Sequence, residues 1–246
     1  MSKKHAVKIF GVPIDEYTTS EFIEQLEYLI KQPEQALVCP VNVDMLNQTI
    51  SNEWLRTFIS SADIIQAESS GVLLGARLLG RPLVQKITSN EIIYTLAKRW
   101  EDKEFSIYLL GGPEGQAKLA ATKLHEQYPN FKIVGYHRGH LNEIESNEVI
   151  RKINEASPSI LMVGFGCPIQ EEWTDKYRAS LNVPLLWPIG NLTSFVSGTV
   201  STAPKWMKRY GFEWLYRLGQ EPQRMWKRYI IGNPLFVFRV IWYDKW

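Results

Sequence analysis

One unit recurs along the first 200 residues of this chain and limits what it can fold into: a short apolar run, a turn of glycines or small polar residues, then a helical pattern. The runs at 36–41, 64–67, 105–110, 160–163 and 183–187 are each too short for a helix and too apolar for a solvated face. Apolar strands separated by helices pair in parallel, because only a crossover of a dozen or so residues returns the chain to the same end of the sheet. The pattern predicts an α/β protein with a doubly wound, mostly parallel sheet.

Around those runs the spacing predicts a first strand over 7–12, closed by Pro13, and a helix over 18–29. Thr18 and Glu21 stand at capping-box spacing at the start of that helix. Further helices are expected at 43–51, 53–60, 90–100, up to about 128, at 145–156 and up to about 181, with another strand at 132–136. Gly80 and Pro82 end the helix that begins after Ser69. Ligands of such sheets gather outside the carboxyl ends of the strands, so the residues there are the candidates for chemistry.

Ile64-Ile65-Gln66-Ala67-Glu68-Ser69-Ser70-Gly71 delivers a carboxylate to a strand's carboxyl end, directly before a small-residue helix. Free N–H groups at that helix start suit an anion. Glu68 beside them reads either as a charge kept for proton transfer or as a polar residue favouring the helix dipole. Gly111-Gly112-Pro113-Glu114 suits a phosphate or ribose, or is only a strand-to-helix turn, and lacks the three-glycine dinucleotide fingerprint. Gly164-x-Gly166-x-Pro168-x-Gln170-Glu171 is more specific, although Glu171 also fits a first-turn dipole partner. His137 and His140 read as surface histidines in a polar loop rather than metal ligands. No Asp-x-Asp pair occurs to hold a metal diphosphate.

The formal net charge of +2, with 45% hydrophobic and 22% charged residues, is ordinary for a globular protein, and its distribution is more informative. Residues 201–246 crowd Lys and Arg among aromatics, and the chain has nine tryptophans. Such a segment lies in a membrane interface or packs its aromatics on the domain or a partner subunit. No run approaches the ~18 apolar residues of a spanning helix. Two cysteines, Cys39 and Cys167, fit a reducing compartment rather than a disulfide framework. With no leader-like apolar run at the start, the expectation is a cytoplasmic protein. The division expected is a domain over 1–200 and a basic, aromatic appendage over 201–246.

Asn42, the 75–82 segment, Gly111-Gly112-Pro113-Glu114, Gly164-x-Gly166-x-Pro168-x-Gln170-Glu171, Gly190, Gly198, Ala203-Pro204-Lys205-Trp206 and Glu213-Trp214-Leu215-Tyr216-Arg217-Leu218 together resemble the WecG/TagA/CpsF glycosyltransferases over nearly the whole chain. The resemblance implies a Rossmann-like fold with a C-terminal helical appendage that contacts the membrane and lends arginines to the site. It implies an inverting enzyme moving a sugar from a nucleoside diphosphate, usually UDP, to a sugar on undecaprenyl diphosphate. Such enzymes serve teichoic acid, common antigen or exopolysaccharide assembly. The location implied is peripheral, on the inner face of the plasma membrane.

On the matching positions, the resemblance implies catalytic roles for Glu68, Lys86 and Gln170. It implies substrate contacts from Asn42, Gly111, Gly112, Glu114, Gly164, Gly166, Pro168, Glu171, Gly190, Asn191, Arg217, Arg224, Lys227 and Arg228. Departures are concrete: Glu68-Ser69 replaces Asp-Gly, Pro40 a Thr, Lys86 an Arg, Glu91 an Asp, Thr193-Ser194-Phe195 a Phe-Asp-Phe, Thr202 an Arg and Lys227 an Arg. Charge type survives at Glu68, Lys86, Glu91 and Lys227, which argues for an active relative with altered substrates.

Glu68 is then the expected base for the acceptor hydroxyl. The leaving diphosphate is met by tail arginines, Lys86 and helix N-termini, without cofactor or metal. The partners expected are a nucleotide-sugar donor, a polyprenyl-diphosphate-linked acceptor and the membrane surface, with no nucleic acid and a homo-oligomer left open. The rivals are a silent nucleotide-sugar-binding subunit, which Pro40, Ser194 and Thr202 favour, and a generic oxidoreductase, which the missing fingerprint disfavours.

Overall fold

The computed structural model describes residues 5–244, without the side chains of His5, Lys205, Arg209 and Asp244. Residues 1–4 and 245–246 lie outside that description, as do the Lys205 and Arg209 side chains counted above in the basic tail.

Among the described residues there are eight strands: β1 (His5–Ile9), β2 (Val12–Asp15), β3 (Ala36–Val41), β4 (Ile64–Ala67), β5 (Ser106–Gly111), β6 (Lys132–His137), β7 (Ile160–Gly164) and β8 (Leu185–Pro188). They form one sheet in the order β1-β2-β4-β3-β8-β7-β5-β6, parallel throughout except for the β1–β2 hairpin. The doubly wound parallel sheet expected from the sequence is therefore present. The single strand expected over 7–12 is instead two strands folded at Phe10-Gly11, with Pro13 inside the second. Both turn residues have positive φ, 52° and 81°, which is the backbone a two-residue hairpin needs. Phenylalanine gives no turn signal. Its ring is held in that place by Phe236, edge-on at 5.6 Å between centroids.

Side chains alternate across the sheet with period two, and each face buries its own core. Leu37, Cys39, Ile65, Tyr108, Leu110, Leu161, Val163 and Leu186 face one layer. Val38, Ile64, Ile107, Leu109, Met162, Leu185 and Trp187 face the other. The helices are α1 (Thr19–Ile30), α2 (Val43–Thr49), α3 (Glu53–Ser60), α4 (Ser70–Leu78), α5 (Ser89–Trp100), α6 (Gln116–Gln127), α7 (Glu143–Ala156), α8 (Ile169–Tyr177) and α9 (Leu192–Ser197). Helices α1, α5, α6 and α9 cover the Trp187 face; α2, α3, α4, α7 and α8 cover the other. Thr18 and Glu21 do form the capping box, with Glu21 N–H donating to Thr18 Oγ1 and Thr18 N–H to Glu21 Oε2.

The tail continues as α10 (Lys205–Arg209), α11 (Glu213–Gln220), α12 (Pro222–Trp226) and α13 (Gly232–Arg239), with π-helical turns at Lys227–Ile231 and Val240–Asp244. One part of it is anchored in the core. Phe236 and Val240 are fully buried beside Ile9 and Ala76, and the Phe236 ring occupies the space over Gly75. The Asn47 amide donates to Gly232 O at 2.9 Å and Arg239 Nη1 donates to Asn47 Oδ1 at 3.0 Å. Another part stays outside: Trp206, Tyr210, Trp226, Ile230, Phe238 and Trp242 are exposed. Both readings of the aromatics, packing and presentation, thus describe different residues. Among the described residues, no helix is long and apolar enough to cross a membrane.

Candidate active site

Because β3, β4, β5, β7 and β8 run parallel, their carboxyl ends share one edge of the sheet. That edge gathers Asn42, Glu68, Gly111-Gly112, Gly164-x-Gly166 and Gly190-Asn191 from five separate segments of sequence. At β5, β7 and β8 the backbones touch. A Cβ on Gly111 would lie 2.5 Å from Gly164 O, and one on Gly164 would lie 2.6 Å from Gly190 O. Glycine at these positions lets the three strand ends pack backbone to backbone, a floor of main chain at the carboxyl end of the sheet.

Gln170 binds that floor together. Its Oε1 accepts from Gly166 N–H at 3.2 Å and Gly190 N–H at 3.0 Å, while Nε2 donates to Glu171 Oε1 at 2.8 Å. Only 3% of Gln170 is exposed. Its amide is thus engaged by the protein. Glu171 is completely buried, and its Oε2 has no hydrogen-bonding partner. Burial pushes its carboxyl up to about 7, the Glu68 charge adding to the rise and the Gln170 bond opposing it. Burial also drives the Cys167 and Cys39 thiols well up, with the Glu171 charge contributing to both. Pro168, joined to Cys167 by a cis peptide, precedes α8.

At the other end of the edge Glu68 is half-buried between the starts of α4 and α5. Its Oε1 accepts from Ser89 Oγ at 2.9 Å and Ser89 N–H at 3.4 Å. Ser89 opens α5, so the carboxylate sits where a helix dipole favours negative charge. Thr88 and Ser89 were not singled out from sequence, although a Thr-Ser pair before an apolar-periodic run is an ordinary helix-start signal. Asn42 caps α2, its Oδ1 accepting from the Asp44 and Met45 amides at 3.0 and 3.2 Å.

The tail closes one side of this edge. Glu213 of α11 accepts from Lys86 Nζ at 3.1 Å and lies 3.5 Å from Arg217 Nη2, and Lys208 Nζ donates to Glu91 at 3.0 Å. Burial would raise the Glu91 carboxyl, but the Lys208 bond outweighs it and holds the group low. The Arg217 guanidinium lies over the Phe195 ring, 4.7 Å from its centroid. Arg228 approaches Asp44 Oδ2 at 3.9 Å, near the Asn42 cap. Arg224 instead pairs with Glu221 of its own segment and is largely exposed, and Lys227 lies over the neighbouring Trp226 ring. Glu114 is also exposed, 3.4 Å from Arg138. The structure therefore brings Glu68, Lys86, Arg217, Asn42 and the glycine floor to one edge, and leaves Arg224, Lys227 and Glu114 in surface pairs.

A polar bed under Gly112 was also missed. Gln116 Oε1 accepts from the Thr193 hydroxyl at 3.1 Å, and the single Ser194 hydroxyl proton is shared between Gln116 Oε1, at 3.1 Å, and Asn191 Oδ1. Ser194, a departure noted above, is thus part of an internal network. Among the described residues no three His, Cys, Asp or Glu side chains converge as metal ligands.

Three bacterial relatives cover nearly all of this chain, and each carries the name N-acetylglucosaminyldiphosphoundecaprenol N-acetyl-beta-D-mannosaminyltransferase. The protein of Bacillus subtilis (strain 168) is 29% identical over 238 residues, 96% of this chain and 91% of its own. That of Bacillus spizizenii is 27% identical over 94% of this chain and 89% of its own. That of Staphylococcus aureus (strain MW2) is 24% identical over 95% of this chain and 91% of its own. The family model described as "Glycosyl transferase WecG/TagA/CpsF family" matches residues 7–246. The sheet, the glycine-lined edge and this match agree, and the chain belongs to the WecG/TagA/CpsF family of glycosyltransferases.

Proposed function

We propose that this enzyme transfers an N-acetylhexosamine, N-acetylmannosamine being the first candidate, from a UDP donor to N-acetylglucosamine carried on a polyprenyl diphosphate. The names of the relatives supply the acceptor class and the first sugar. The observation that carries the mechanism is the placing of Glu68, held by Ser89, on the same edge as Lys86, Arg217 and the glycine floor.

The acceptor hydroxyl gives its proton to Glu68 as its oxygen bonds the anomeric carbon. The bond from that carbon to the diphosphate breaks on the opposite face, so the configuration inverts and UDP leaves with its new negative charge. Lys86 and Arg217 supply the positive charge that meets it, and the starts of α4 and α5 add N–H dipoles. Arg217 offers bidentate geometry that lysine lacks. These charges serve a leaving diphosphate without a metal ion. The exposed aromatics of the tail and its basic residues hold the enzyme at an anionic cytoplasmic leaflet, where the lipid-linked acceptor is embedded.

The test is transfer by the purified protein from a panel of UDP-sugars to a short-chain polyprenyl-diphosphate N-acetylglucosamine, with EDTA present. Turnover of UDP-N-acetylmannosamine with inverted linkage is expected. Binding of UDP without transfer from any donor would refute the reading.

A further inference from the structure

Glu171 is the one fully buried carboxylate at the catalytic edge, and the mechanism above gives it nothing to do. Burying a charge is costly unless it is paired. Here the Gln170 amide donates to one oxygen, the weakly donating Cys167 thiol and the residue's own backbone N–H add to it, and Oε2 has no partner at hydrogen-bond distance. Among the described residues, the charged and titratable groups facing it are acidic or neutral. Glu68 from the end of β4 is negative, Cys39 from β3 and Cys167 from its own loop are thiols kept neutral by burial, and Asp44 of α2 adds negative charge near Cys167.

The consequence of this position lies in Gln170. A side-chain amide has one acceptor end and one donor end. Two backbone N–H groups, from Gly166 and Gly190, need the acceptor end. The donor end must then point at something that accepts, and a carboxylate is an acceptor only. A charged Glu171 makes the observed orientation the only satisfied one. A protonated Glu171 accepts more weakly, which loosens the Nε2 bond that holds the amide in place and so weakens the tie between the two glycine loops.

We infer that Glu171 is a positioning residue: its carboxylate orients Gln170 so that one oxygen joins the Gly166 and Gly190 loops, and the charge on Glu171 sets how well that floor binds the diphosphate of the donor. The inference rests on the proposal that the floor receives the nucleotide sugar. The raised affinity of Glu171 for a proton brings the switch into the neutral range. Acidification then weakens donor binding without any change in the donor's own contacts.

Two measurements separate this inference from the proposal beneath it. Backbone amide exchange at Gly166 and Gly190, expressed as protection relative to the free peptide rate, needs no ligand. Protection in the wild-type protein should fall about three- to tenfold between about pH 8 and about pH 6, the worth of one hydrogen bond. Glu171→Gln is the neutral isostere; at every pH it should match the wild type at low pH. UDP titrated into the same samples should show the same pattern in Kd. Gln170→Ala removes what Glu171 acts on, so its UDP affinity should be weak and independent of pH, which serves if Glu171→Gln does not fold. Wild-type protection that is flat with pH, or a Glu171→Gln protein that follows the wild-type profile, would overturn the inference. Amide protection that shifts as expected while UDP does not bind at all would overturn the donor reading and leave the clamp standing.

Discussion

Glu213 reaches back from the tail to Lys86 on the core, carboxylate oxygen to Nζ at 3.1 Å, with both side chains largely shielded from solvent. The same carboxylate lies 3.5 Å from Arg217 Nη2, so one acidic residue holds two cations. In the proposed reaction those cations face the departing diphosphate. Lys86→Met should lower kcat about 10²–10³-fold while UDP affinity changes by far less. Steady-state transfer and UDP titration on the same preparation check this; an unchanged kcat would remove Lys86 from the mechanism.

Phe236 closes the core over Gly75, where an added Cβ would stand 2.8 Å from the ring tip. The tail is therefore fastened by a residue as buried as any in the sheet. Phe236→Ala should cost about 3–5 kcal/mol, read as the shift in urea unfolding. A loss below 1 kcal/mol would show that α13 is not seated as described.

Trp226 and Phe238 of the tail are exposed, and Arg224 and Lys227 stand beside Trp226 in sequence. Replacing both aromatics by serine should release the protein from anionic liposomes in a flotation assay, with far-UV circular dichroism unchanged. Sedimentation of wild type and variant alike away from the liposomes would show that the tail does not bind this surface.

The short apolar runs made the sheet legible, because β3, β4, β5, β7 and β8 are buried along their whole length, whereas the edge strand β6 is not. The hairpin at Phe10-Gly11 was hidden, since a tertiary contact with Phe236, 226 residues away in sequence, overrides the poor turn propensity of phenylalanine. At the site, residues on strand ends were legible because loop length and glycine content mark them. Ser89 and Glu213 were not, because each acts through a partner on another element, Glu68 and Lys86. Gln170 shows a subtler gap: the sequence marks it as special, but only the structure reveals that its amide serves Gly166 and Gly190.

Glu171 also ties stability to pH. Its native carboxyl is raised to about 7, above the value of an unfolded chain, so between the two the native state alone keeps the proton. This group therefore removes stability as pH climbs from the unfolded value, up to ~3 kcal/mol once the native group has ionised. Glu171→Gln lacks that penalty. Its melting temperature relative to wild type should rise from about pH 5 to about pH 8. A difference that is constant over that range would place the Glu171 carboxyl in the ordinary range.

In the proposed reaction Glu68 takes the acceptor's proton. Glu68→Gln keeps the shape of the side chain and can still accept from Ser89, so the floor and the tail contacts remain. Single-turnover transfer from UDP-N-acetylmannosamine to the lipid-linked acceptor, with UDP affinity measured in parallel, tests it most directly. The account predicts a rate lower by about 10²–10⁴-fold and a UDP Kd within a few-fold of wild type. Glu68→Gln protein that turns over at near the wild-type rate would contradict it.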